Sequence, residues 1–72
     1  MPNNNIQSVI FKKKYYTVPS AKKWLFKHKF KNNDVDIKPN YIRFRQQQPG
    51  IFDYYFLIEK TPAIKYVVGH KK

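Results

Sequence analysis

The chain has 72 residues, so it holds at most one domain, near the size at which a single core becomes marginal without staples. Fifteen Lys and Arg against four acids give a formal net charge of +11, and the absence of cysteine removes disulfides and thiolate metal sites. Aromatic residues make up 18% of the chain, which excludes a disordered polycation, and no apolar run reaches the roughly 18–20 residues of a membrane span.

Residues 1–8 read as a polar lead-in, 9–69 as one basic α+β domain and 70–72 as a basic tail. Val9-Ile10-Phe11 is a short first strand that leaves into the Lys12-Lys13-Lys14 turn. Thr17 is a good N-cap, because its hydroxyl can accept a free backbone N–H, and Pro19 fits a first helical turn. Val18, Ala21, Trp24, Leu25 and His28 then recur at helical spacing as one apolar stripe. Lys22, Lys23, Lys27 and Lys29 fall on its flanks and back, and Phe26 falls off it. The spacing predicts a helix ending between Lys29 and Lys31, followed by an Asn32-Asn33-Asp34 loop.

Beyond the loop the period changes to two. Ile42 and Phe44 point one way and Tyr41, Arg43 and Arg45 the other. Pro49-Gly50 is a turn, Ile51 to Ile58 reads as a central strand, and Ala63 to Val68 as the last strand before Gly69. The predicted order is β-α-β-β-β, with one helix packed on one face of a small antiparallel sheet. A single helix covers a single face. With Ile42, Phe44, Tyr54, Phe56, Ile58 and a set from Ile64, Tyr66 and Val68 beneath Trp24 and Leu25, the open face carries Tyr41, Arg43, Arg45, Tyr55 and Lys65. A register slip of one residue would invert that assignment.

The pattern of Thr17, Ala21, Trp24-Leu25, His28 and Phe30, followed by Tyr41-x-Arg43-Phe44-Arg45-Gln46 and Val67-Val68-Gly69, resembles a small domain that recurs in proteins of tailed phages and large DNA viruses. The similarity spans about residues 9–69. It implies a viral or phage setting, in the host-cell interior or the virion, and carries no catalytic residues with it. Lys29 stands where that domain often has a helix-ending glycine, so either a left-handed lysine or a longer helix is expected here.

The charge has a bland component. Thirteen of the fifteen bases are Lys, as an A·T-rich genome would produce, but that bias does not explain the scarcity of acids. A strongly positive field attracts polyanions and destabilises a compact state that lacks one. Nucleic acid is therefore the expected partner, with DNA ahead of RNA. Arg43 and Arg45 are the only arginines, and with Tyr41 and Tyr55 they combine forked phosphate donors with flat stacking surfaces. The competing reading of that row is ordinary polar cover of an exposed sheet face. Lys65, the Lys12-Lys13-Lys14 run and the Lys22/Lys23/Lys27 flank could add phosphate contacts, which carry no sequence information. No helix-turn-helix, zinc-finger or basic-zipper pattern is present, so low sequence specificity is expected.

Catalysis is not expected, because four acids offer no convergent pair and Ser8 and Ser20 have no evident base. No cofactor or metal is expected, and Asp34-x-Asp36 reads as a solvated turn. Trp24 reads as core, and His28 as a packing residue at the helix end. The alternative is a protein-interaction module whose basic face meets an acidic partner. An apolar patch built from Leu57, Val67 and Phe26 would favour such a partner or self-association, and an exposed edge strand could pair two copies as a homodimer.

Overall fold

Thr17 begins the single helix. In the computed structural model, which describes residues 5–47, 50 and 52–70, α1 spans Val18–Lys27 and opens with a reciprocal cap. The Ser20 N–H donates to Thr17 Oγ1 at 3.3 Å, and the Thr17 N–H donates to Ser20 Oγ at 2.9 Å. Two of the helix's unpartnered N-terminal donors are satisfied in this way. The helix ends two to four residues earlier than its lysines suggested. His28 is the C-cap, and Lys29 takes a left-handed conformation with φ of 64°. The Phe30 N–H donates to the Leu25 carbonyl at 2.8 Å and the Lys29 N–H to that of Phe26 at 3.2 Å. This pair of bonds forms a Schellman termination with a lysine in the position glycine favours. It brings the Phe30 ring onto Trp24, with centroids 5.9 Å apart.

Five strands form one antiparallel sheet: β1 (Ile6–Lys12), β2 (Val35–Ile37), β3 (Tyr41–Arg45), β4 (Tyr54–Thr61) and β5 (Ile64–His70). Their spatial order is β2-β3-β1-β5-β4. The fold is α+β with the helix on one sheet face, and β2 is a short edge strand added to the expected set. Val9 and Phe11 of β1, Ile42 and Phe44 of β3 and Ile64 of β5 are buried beneath Ala21 and Leu25 of the helix. Phe11 is the hub, with edge-to-face contacts to Tyr16, Trp24 and Phe44 at 5.0, 5.6 and 5.7 Å. Such pairs add about 0.5–1.5 kcal/mol each beyond simple area burial.

Three assignments are corrected by this arrangement. The lead-in is shorter, because Ile6, Gln7 and Ser8 belong to β1 and are buried. His70 belongs to β5 rather than to a loose tail, while Lys71 and Lys72 lie outside the described residues. The central strand is β1. The run read as central, Ile51 to Ile58, contributes its second part to the outer strand β4, which starts at Tyr54 and runs on to Thr61, while Ile51 lies outside the described residues. Tyr54, Phe56 and Ile58 share the helix-facing side of the sheet, but one short helix does not reach them, and all of β4 is exposed.

Candidate nucleic-acid interface

The sheet register decides which bases meet. On the face away from the helix, Tyr41 lies beside Lys12, and the next row runs Asp36, Arg43, Ile10, Lys65, Glu59 across all five strands. Lys12, Lys13, Lys14, Tyr41 and Lys65 surround one depression of about 370 Å³. Ile10, Pro39 and Asn40 complete its lining, and no acid contributes to it. The lysine triplet is held as a turn, since the Lys12 carbonyl accepts from both the Tyr15 and Tyr16 N–H groups at 3.0 Å. The Lys13 N–H donates to the Asn40 carbonyl at 3.1 Å, which fastens this turn to the turn before β3. A hydrogen-bonded backbone under exposed, charged side-chain ends is suited to meeting an anionic chain.

The arginines behave differently. Arg43 is half-buried, with Nε donating to Ser8 Oγ at 2.9 Å and Nη2 donating to Gln7 Oε1 at 2.7 Å. Ser8 Oγ in turn donates to the same Gln7 oxygen, and Gln7 Nε2 donates to the Gln47 carbonyl at 2.8 Å. Gln7 and Ser8 sit where the pairing of β1 with β5 shifts register, and both are almost fully enclosed. Among the described residues no buried side-chain nitrogen or oxygen lacks a partner, and Arg43 contributes to that at this bulge. Arg45 pairs with Asp36 at 3.3 Å and with Asp34 at 3.8 Å. Asp36 also meets Lys38 at 3.3 Å. The Lys38 hydrogen bond, with the Lys38 and Arg45 charges, holds the Asp36 carboxyl below the usual carboxylate range against partial desolvation. The two acids are thus ion-pair partners, with Asp36 in a strand rather than a turn. No group of three or more metal-binding side chains occurs among the described residues.

The remaining predicted residues are scattered. Tyr55 lies opposite Gly69 at the far end of the open face, and its hydroxyl accepts from the Gly50 N–H at 2.8 Å. The Phe52 ring packs on Gly69 and meets Tyr55 edge-on at 5.8 Å, and any side chain at position 69 would collide with it. Tyr55 therefore shares no site with Tyr41. Lys22, Lys23 and Lys27 are exposed on the helix, across the sheet from Lys65 and Tyr41. Leu57 and Val67 are neighbours on the open face, whereas the exposed Phe26 is on the helix. Trp24 is half-buried, with His28 stacked on it at 4.0 Å, so it belongs to the packing of the helix.

Sequence reasoning missed Ile10, Pro39 and Asn40. The Pro39-Asn40 dipeptide before an alternating run was a visible turn signal, but only the pairing of Lys12 with Tyr41 brings it against the lysine turn. A larger concavity of about 590 Å³ lies between the helix end and β3, lined by Phe26, Phe30, Lys31, Asp34, Arg45 and neighbours. Its arginine is already paired with the acid beside it, which makes it a poorer anion site. No family model matches the chain, and neither a curated protein nor a solved structure matches it.

Proposed function

We propose that this chain is a small, non-enzymatic nucleic-acid-binding module of low sequence specificity, with the lysine-lined depression as its contact surface. The observation that carries this reading is the meeting of Lys12, Lys13, Lys14 and Lys65 around Tyr41 with no acid among them. Phosphates would be held by the lysines, and the Tyr41 ring supplies a surface on which one base can stack. The viral or phage setting implied by the sequence resemblance is part of the proposal and rests on that pattern alone.

Binding of a short labelled oligonucleotide, followed by fluorescence anisotropy over a salt series, tests the reading. Affinity should fall with salt at about 0.9 logarithmic units per phosphate contact on duplex DNA, and about 0.7 on single strands. Tyr41→Ala should cost about 1–3 kcal/mol on a single strand if a base stacks there, whereas Tyr55→Ala should leave binding unchanged. Equal binding of single-stranded DNA, RNA and polyglutamate would defeat the nucleic-acid reading. The second reading, an acidic protein segment in the same depression, draws on the apolar surface that Ile10 and Pro39 add to its lining. Polyglutamate outcompeting DNA would favour it.

A further inference from the structure

Strand β4 departs from the rest of the chain in two ways. It carries one acid and one base, Glu59 and Lys60, in a chain of net charge +11. It also exposes five consecutive large apolar side chains, Tyr54 to Ile58, with Leu57 61% accessible. No described strand pairs with its outer edge. An eight-residue, apolar, unpaired edge is the kind that proteins usually shorten, charge or cover. The opposite edge follows that rule, since β2 has three residues and includes Asp36.

The backbone fixes which groups are offered. The Gly69 N–H donates to Asn5 on the β1 side, and the His70 carbonyl accepts from Asp53 on the β4 side. Alternate residues of β5 therefore serve its two neighbours. Tyr54, Phe56 and Ile58, opposite His70, Val68 and Tyr66, turn their backbone groups inward, and Tyr55, Leu57 and Glu59 turn theirs outward. An antiparallel partner related by a two-fold axis is centred either on an outward residue, as a hydrogen-bonded pair, or on an inward one, as a non-hydrogen-bonded pair. Centring on Phe56 would set Asp53 opposite Glu59, and centring on Ile58 would set Leu57 against Glu59 and Phe56 against Lys60. Centring on Glu59 would set two carboxylates opposite each other, and centring on Tyr55 would run half of the pairing off the strand's start.

Centring on Leu57 places Leu57 against Leu57, Phe56 against Ile58 and Tyr55 against Glu59, with Tyr54 near Lys60, where a bulge interrupts the regular alternation of β4. Phe56, Leu57 and Ile58 then meet one another, the carboxylate meets a phenol, and the ammonium lies near an aromatic ring. We infer that β4 pairs with β4 of a second copy of this chain, antiparallel and centred on Leu57, giving one continuous ten-stranded sheet. The two-fold axis stands perpendicular to that sheet, so both lysine-lined depressions face the same side. The inference rests on the edge strand alone and holds whether or not the depressions bind nucleic acid.

Sedimentation equilibrium of the purified chain without nucleic acid tests it. A dimer should form and strengthen as salt rises, because screening relieves the repulsion between two strongly basic copies. Leu57→Pro removes an outward N–H that the monomer does not use, and should leave a folded monomer whose circular dichroism matches the parent. In a chain with no cysteine of its own, Leu57→Cys sets two thiols on Cα atoms about 5.5 Å apart, within disulfide reach. Glu59→Cys sets them about 14 Å apart along the strands, beyond reach. Mild oxidation should therefore cross-link the first variant at least tenfold faster than the second. A monomer at millimolar concentration in high salt, a dimer unaffected by Leu57→Pro, or equal cross-linking of the two cysteine variants would each overturn the inference.

Discussion

Arg43 and Arg45 lie on the same sheet face as Lys12 and Lys65, yet their charges are committed in opposite ways. The guanidinium of Arg43 completes a buried cluster with Gln7 and Ser8, and that of Arg45 is shared between Asp34 and Asp36. Lys12, Lys13, Lys14 and Lys65 surround a depression that no acid lines. A planar, forked donor set suits fixed polar geometry inside the protein, whereas a compact ammonium on a long stem suits a surface that must follow a variable partner. The rarer basic residue is therefore the architectural one here, and the abundant one lines the open depression.

The largest effect should come from breaking the arginine side of this contrast. Arg43→Ala leaves Gln7 and Ser8 enclosed without their charged donor, which should cost about 2–3 kcal/mol in urea unfolding. The same variant should change the salt slope of oligonucleotide binding by less than one contact, about 0.9 units. Unaltered stability with abolished binding would reverse the roles assigned to the two residue types.

Replacing Lys12, Lys13 and Lys14 together by Ala should give the converse result. The salt slope should drop by about 2–3 units if all three reach phosphates, and each substitution should move stability by no more than about 0.5 kcal/mol. The smallest effect belongs to the acid that restrains Arg45. The Asp36 carboxyl is held below its ordinary range, first by the Lys38 hydrogen bond, so its folded pKa lies below the unfolded one. Its contribution to stability is then complete above about pH 4 and is lost as pH falls through the folded value. Asp36→Asn should flatten that acid limb in denaturation curves taken across pH 2 to 5, and leave stability near pH 7 slightly reduced, as suits a pair that water still reaches.

What the sequence showed clearly was local. Thr17, Pro19 and the Ala21-Trp24-Leu25 stripe locate the helix, and the alternation of Tyr41 to Arg45 assigns every side chain of β3 to its observed face. The left-handed turn at Lys29 was one of two outcomes the missing glycine left open, and the Phe30–Trp24 contact accompanies it. Position within the sheet was not legible. The run from Tyr54 to Ile58 has the composition of an interior strand, and nothing in it tells that β1 takes the centre. The roles of the arginines were hidden for the same reason. Their partners Gln7, Ser8 and Asp36 come from other strands, and only the register reveals them. Gln7 was harder still, because the bulge at that position breaks the alternation that would have marked it as enclosed.

The placement of β1 also sets a schedule for folding. It precedes every other element in the chain but needs β3 on one side and β5 on the other, whose pairing joins Ile6 to Val68 and Phe11 to Ile64. During synthesis its apolar side chains must wait for most of the sequence, with only the helix available to shield them. Closing so long a loop is entropically slow, so folding should be governed by chain topology rather than by the rapid formation of the helix.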